Sequence, residues 1–298
     1  MAMDGTILAG QHEPAPSAVL GRLLSERIRS EADRLKADFN RAAPDRIRWC
    51  MLDDLLPESV MMAAFSKMPA LADMVRVKSP MERKFVCANL QKLSSTLVDI
   101  VMAFTDTDLV ESIGDIVGAP RLEADLNLYN GGITVMLPGD FMCPHLDNSH
   151  DRARRRRREI VLLYYITPCW LPDYEGNLEL WDLTRKERQA VVQFRSNRLV
   201  LLETTNASWH AIPPIVGPLP RLSVTSYLYA PETEVSPVRL TRFASWPGQP
   251  FQNLWFNTQF YLRTAASRVI GRSVGNRHVY EPDGGTATAT PADPHGSS

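Results

Sequence analysis

The sequence predicts a mainly β protein with flanking helices, built on an antiparallel sandwich or barrel. Three observations carry that expectation. Between Pro120 and Pro231 the chain breaks into short apolar, β-branched or aromatic runs. Those runs are separated by turn chemistry: Asn130-Gly131-Gly132, Pro138-Gly139-Asp140, Glu175-Gly176-Asn177 and Ser196-Asn197. Most of the gaps are too short for a crossover helix, which disfavours a parallel α/β sheet.

Residues 1–16 carry Gly5, Gly10, Pro14 and Pro16 with little periodicity and read as a flexible leader. Ser17 has the chemistry of an N-cap. After it Leu20, Leu24, Ile28, Leu35 and Phe39 recur at helical spacing, predicting one amphipathic helix. Further helices are expected over Pro57–Met68, with Pro in the first turn, over Ser94–Thr105 and over Leu109–Val117, closed by Gly118. Residues 17–119 are thus expected to form a helical support, and 120–231 the β core. Strands are expected at Leu126–Tyr129, Ile133–Leu137, Ile160–Ile166, Leu178–Trp181, Ala190–Phe194, Leu199–Glu203 and Leu222–Tyr229. Residues 232–280 form a C-terminal extension. Its helix follows Pro250, sets Phe251, Leu254, Trp255, Leu262, Ala265 and Val269 on one side, and stops at Gly271. Packing of that side against the body, or a dimer contact, is favoured over a membrane-surface role. The Thr/Ala/Pro/Gly-rich end, 281–298, reads as disordered.

Composition excludes several classes. Lys+Arg at 33 against Asp+Glu at 34 gives a formal net charge of -1, which argues against a protein held to nucleic acid by overall charge. The longest apolar run, Ile160–Ile166, is far too short to span a membrane, and no apolar signal segment opens the chain. Cys50, Cys87, Cys143 and Cys169 form no CxxC pair, as suits reduced thiols in a cytoplasmic protein. Cys143, two residues before His145, is expected to be a small buried thiol rather than a metal neighbour.

The chemistry concentrates at Pro144-His145-Leu146-Asp147 and at Trp209-His210. Residues i and i+2 of an extended segment share one side, with Cα atoms roughly 6–7 Å apart. His145 and Asp147 can therefore close on one ion, and His210 from another strand would complete a face of two imidazoles and one carboxylate. That ligand set leaves adjacent positions open and is associated with non-haem Fe(II) oxygenases. His150 and Asp151 lie behind the motif and read as loop residues. Arg221, at the start of an apolar strand, offers a planar fork to a carboxylate, with Ser223 adding a hydroxyl. Such a pair beside an open metal suggests a co-substrate with an acid at one end and a chelating group at the other, as in 2-oxoglutarate.

The pattern His145-x-Asp147, His210, Arg221-x-Ser223 resembles the signature of the 2-oxoglutarate/Fe(II)-dependent oxygenases. Within that superfamily the text is most similar to bacterial members of the prolyl-4-hydroxylase-like branch. The matching pieces are Leu137-Pro138-Gly139-Asp140-Phe141, Leu162-Leu163-Tyr164-Tyr165, Gly176-Asn177-Leu178-Glu179-Leu180-Trp181, Arg198-Leu199-Val200 and Glu203-Thr204-Thr205 leading into Trp209-His210. The resemblance covers about residues 120–230. It implies a double-stranded β-helix, the cupin-like jelly roll, with Fe(II) held by His145, Asp147 and His210. It further implies 2-oxoglutarate and O2 as co-substrates, ascorbate as a support, and a ferryl oxidant that attacks an unactivated C–H. Asp147 speaks against a halogenase, whose pattern has a small residue there. The branch often carries Lys where Arg221 stands, so that assignment borrows from sister branches. Tyr165 or Tyr129 is expected to hydrogen-bond the co-substrate.

The substrate implied is a small molecule, such as an amino acid, a biosynthetic intermediate or a glycan or carrier conjugate. The alternatives are a peptidyl-prolyl hydroxylase acting on protein, a nucleic-acid demethylase, and a non-catalytic jelly-roll module that binds a metal or ligand. Arg152 and Arg154–Arg158 put six arginines in seven positions. That density reads as a solvated loop, or alternatively as a lid recruiting an anionic substrate. Trp181 and Trp209 line the mouth or pack the core. Monomer and homodimer are both compatible with the sequence.

Overall fold

The computed structural model describes residues 17–41, 46–231 and 237–270. The expected leader and tail lie outside these residues.

The first helical stretch is two helices, α1 (Ser17–Arg29) and α2 (Ala32–Asn40), broken at Ser30-Glu31. The apolar stripe is continuous across the break, since Leu20, Leu24, Ile28, Leu35 and Phe39 are all buried. Ser17 begins α1 rather than preceding it, and its backbone N–H donates to Asp99 Oδ1. Pro57 sits at the N-cap of α3 (Glu58–Ser66). Ser94 caps α4 (Ser95–Ala103), and α5 (Thr107–Val117) ends at Gly118, whose φ of 75° is the left-handed conformation that glycine takes at low cost.

Asp106 caps α5 by accepting from the Leu109 N–H at 3.1 Å, and its carboxylate also accepts from Ser25 on α1. Its side chain packs against Gly21, where an added Cβ would lie 2.6 Å from the Asp106 Cβ. One residue therefore caps one helix and seats another. Asp106→Ala should destabilise the fold by about 1 kcal/mol and lower the thermal midpoint by roughly 2–4 °C, checked by circular dichroism.

The helical support also contributes three strands that its helical periodicity hides: β1 (Trp49–Leu52), β2 (Val75–Lys78) and β3 (Glu82–Cys87). From there the chain runs through β4 (Glu123–Ala124), β5 (Gly132–Met136), β6 (Phe141–Leu146), β7 (Arg156–Tyr165), β8 (Leu178–Asp182), β9 (Glu187–Val192), β10 (Arg198–Glu203), β11 (Trp209–Ile212), β12 (Arg221–Pro231) and β13 (Arg242–Phe243). The segment Leu126–Tyr129, expected as a strand, is a turn region. There the carboxylate of Asp125 takes up the backbone N–H groups of Asn127 and Tyr129, so local capping overrides the apolar pattern.

All strand pairs are antiparallel, in the order β1-β10-β7-β12-β5-β3-β6-β11-β8-β9. β5 to β12 build the jelly roll. One layer is β10-β7-β12-β5 and the other is β6-β11-β8-β9, joined through β3. The outer face of the first layer packs on the helices through Leu162, Tyr164, Leu199, Leu201, Leu222 and Val224. Its inner face meets the second layer through Val161, Tyr165, Leu178, Leu180, Phe194, Val200, Tyr227 and Tyr229.

The C-terminal helix α6 (Pro250–Ile270) forms where expected but presents a different face. Phe251 is 89% exposed and Leu254 69%, while Phe256 is buried with Cys143 and Phe243. Among the described residues no helix is long and apolar enough to cross a membrane.

Candidate active site

His145 on β6 and His210 on β11 are directly paired, and Leu180 on β8 pairs with His210. Opposed residues share a face. Leu180 belongs to the inner cluster, so both imidazoles face the interior of the roll. Asp147 follows one residue past the end of β6. The three side chains converge, with one ligand atom from each lying within 4.8 Å of the others.

The ring orientations are fixed from behind. His145 Nδ1 lies 2.9 Å from the Cys143 carbonyl, and His210 Nδ1 3.0 Å from the Ser208 carbonyl. A carbonyl can only accept, so each Nδ1 carries the proton and each Nε2 presents a lone pair. Both Nε2 atoms stand 3.9 Å from an Asp147 oxygen, too long for a hydrogen bond and suited to a shared ion. Burial and the neighbouring His210 pull the His145 pKa down to about 3, so the ring is neutral, as a ligand must be. Burial pushes the Asp147 carboxyl up, but His210 and Arg158 outweigh it and hold the group below the usual range. The His145 and His210 imidazoles, presented through Nε2, and the ionised Asp147 carboxylate fit a divalent first-row metal.

Cys143 contributes its carbonyl, not its sulfur. Burial raises that thiol to about 12, and the side chain packs with Phe243 and Phe256. His150 and Asp151 lie in the loop between β6 and β7, as expected, and both are buried. His150 Nδ1 pairs with the Ser149 hydroxyl, and Asp151 accepts from Arg155 N and Arg156 Nε. They stay outside the triad because their side chains shape the turn that enters β7.

Arg221 opens β12 and is only 2% exposed. Its Nε donates to the Gly176 carbonyl at 2.8 Å, and its Cζ lies 4.8 Å from the Tyr165 ring and 4.6 Å from Phe194. Burial lowers the guanidinium pKa, partly offset by Tyr165, and no carboxylate contributes. Tyr165 is also fully enclosed. Its hydroxyl makes no well-formed hydrogen bond, although Arg221 counters part of the rise that burial imposes on the phenol. Ser223 pairs with Tyr165 and so shares its inner face. A buried cation without a protein carboxylate, beside a phenol without a partner, is a cradle suited to an acid from outside.

Tyr129 lies elsewhere. Its carbonyl accepts from Arg158, and Asn148 donates to its hydroxyl at 3.4 Å. Trp209 and Trp181 pair across β11 and β8, with Trp181 Nε1 bonded to Glu179.

Arg158 is the residue that sequence reasoning placed wrongly. In the arginine run, Arg156–Arg158 belong to β7, and Arg158 is 1% exposed. Inward alternation through Tyr165, Leu163 and Val161 would continue to Glu159. Instead the register shifts, because Leu228 pairs with Ile160 while Tyr229 pairs with Arg158. This bulge turns Arg158 into the roll, where its guanidinium lies 3.4 Å over the Tyr227 ring. Strand periodicity without the bulge points to the wrong residue.

Residues 131–229 match the family model described as the 2OG-Fe(II) oxygenase superfamily. No curated protein matches the chain. Among solved structures, a prolyl-4-hydroxylase from Pseudomonas putida is 17% identical, with a TM-score of 0.49 over 70% of this chain and 100% of that one. A prolyl hydroxylase from Trichoplax adhaerens, in complex with a hypoxia inducible factor peptide fragment, is 13% identical with a TM-score of 0.48, covering 71% and 90%. HygX from Streptomyces hygroscopicus, with nickel, 2-oxoglutarate and hygromycin B bound, is 15% identical with a TM-score of 0.42, covering 63% and 85%.

Proposed function

We propose, from the premise that residues 131–229 are a 2OG-Fe(II) oxygenase superfamily domain and the protein a 2-oxoglutarate-dependent dioxygenase, that it hydroxylates an unactivated C–H of a small molecule or small conjugate. One observation carries this reading: the two-imidazole, one-carboxylate triad and the Arg221–Tyr165 cradle face the same interior.

His145, Asp147 and His210 would hold Fe(II) through Nε2, a carboxylate oxygen and Nε2. Bound there with 2-oxoglutarate and O2, the iron supplies the oxidising power for C–H hydroxylation, with succinate and CO2 as co-products. The carbonyls of Cys143 and Ser208 keep both imidazoles in the ligating tautomer. Arg221 would receive the distal carboxylate of 2-oxoglutarate, with the Tyr165 and Ser223 hydroxyls as further donors. Phe194 and Tyr165 flank the guanidinium and keep water from it. Ascorbate would serve to keep the iron reduced.

The test is succinate release and substrate mass under air with Fe(II), across small metabolites and Pro-containing peptides. The expected result is one metabolite class that gains a single oxygen atom in step with succinate. Turnover confined to the peptides would replace this reading with peptidyl-prolyl hydroxylation.

A further inference from the structure

Beside the triad lies a cavity of about 600 Å³ that neither the metal nor the 2-oxoglutarate cradle accounts for. Its walls include Ser149, Arg158, Thr204, Arg239 and, from α6, Thr264. Three arginines line it, Arg157 being the third, and no Asp or Glu does so among the described residues.

The three guanidinium groups differ in what they have left to give. Arg157 is paired with Glu159. Arg239 spends its donors on the Asp147 carbonyl, at 3.3 and 3.0 Å, and on Asn206. Those bonds set one wall of the cavity directly on the ligand segment. Arg158 uses Nη2 on the Tyr129 carbonyl and the Tyr229 hydroxyl. Its Nε and Nη1 are buried with no partner, and so is the hydroxyl of Thr204 in the same wall. Unpaired buried donors are costly, and a guanidinium more so than a hydroxyl. A surplus of buried donors, in a lining that holds no Asp or Glu among the described residues although Asp147 acts on both Arg158 and Arg239 from the triad, is what a binding site for an anion requires.

We infer that this cavity is the substrate's anchoring subsite and takes a carboxylate or phosphate group, held by Arg158 and Thr204 in the field of Arg239. The inference rests on the oxygenase reading above, because it places the anion next to the triad that would oxidise the rest of the molecule. The substrate class is thereby narrowed to acidic small molecules or phosphorylated conjugates. α6 provides the roof, so the subsite is completed only by the C-terminal extension.

The test is equilibrium dialysis of radiolabelled inorganic phosphate and, separately, acetate against metal-free full-length protein in a chelator. The two probes distinguish a phosphate from a carboxylate handle. The wild type should show saturable binding of at least one of them. Arg158→Gln should weaken it at least tenfold, and Arg221→Gln should leave that class of binding intact. Should Arg158→Gln fail to fold, Thr264→Asp places an acid in the roof from a half-buried position and should block the same class. Absence of saturable binding in wild type, or binding lost in Arg221→Gln yet unchanged in the other two variants, overturns the inference. Fe(II)-dependent retention of 2-oxoglutarate is measured separately. Its absence would sink the oxygenase reading, whatever the anion dialysis shows.

Discussion

His210→Ala is expected to abolish Fe(II)-dependent succinate formation while leaving a folded protein. The substitution removes one of three ligands from a site with no fourth His, Cys, Asp or Glu in the cluster among the described residues. Loss of a partner that merely supports a ligand costs roughly 10–100-fold in metal affinity or activity, and loss of a ligand itself should exceed that range. The fold should tolerate the change because His210 stands on the inner face between Leu180 and His145 and its side chain gives up one bond, to the Ser208 carbonyl. Its ring lies 4.1 Å from that of His145 at a tilt of 50°, so the mutant loses packing there. Asp147→Asn is the sharper companion. It keeps the side-chain volume and removes the anion that attracts His210 and Arg158, so iron binding should fall with little change in shape. Fe(II) retention on dialysis and succinate release are the readouts. Values within about twofold of wild type for either variant would remove the triad from the mechanism.

Much of this site is legible in the sequence because its geometry is local. His145 and Asp147 are two residues apart on an extended segment, and strand periodicity alone puts them on one side. Arg221 opens the long apolar strand β12, which the sequence marks from Leu222 to Tyr229, so its place at a strand start is legible too. Six of the eight strands of the roll (β5, β7, β8, β9, β10 and β12) are announced by turn residues, within a residue or two at most ends, while β6 and β11, which carry His145 and His210, have too short an apolar pattern to be expected as strands. What the sequence hides is non-local. β1 is a strand because it pairs with β10, β3 because it pairs with β5 and β6, and β2 because it pairs with β3, and their own apolar patterns are too short to say so. The break between α1 and α2 leaves the apolar stripe in phase, so periodicity reads straight through it. α6 has a stripe whose apparent apolar side is exposed, since Phe256 rather than Phe251 or Leu254 finds the partner surface. Arg158 is hidden for a different reason. A one-residue bulge reverses which side chain enters the roll, and a run of arginines reads as a solvated loop until pairing with β12 is known.

Arg221→Gln is expected to raise the KM for 2-oxoglutarate by about 10–100-fold, with a thermal midpoint equal to or above that of wild type. The two halves of this expectation have one cause. A hydrogen bond to a charged group is worth about 1.5–3 kcal/mol, and each 1.4 kcal/mol is about a factor of ten in affinity. The co-substrate's carboxylate is the partner that would realise that energy. Without it the guanidinium is 2% exposed, has no carboxylate beside it, and makes one bond to the Gly176 carbonyl. Burial lowers its pKa, so the folded state disfavours the charge it encloses. Tyr165 and Phe194 recover part of that cost through their ring faces but do not neutralise the cation. Removing the charge should therefore relieve the empty protein and disable the loaded one. Arg221→Lys separates charge from geometry: it keeps the cation, loses the fork, and should recover part of the KM without restoring it fully. Steady-state succinate release against 2-oxoglutarate concentration and a melting curve without ligand measure both halves. An unchanged KM in Arg221→Gln would move the carboxylate anchor elsewhere, and a large fall in midpoint would show that the cation serves the fold before it serves the co-substrate.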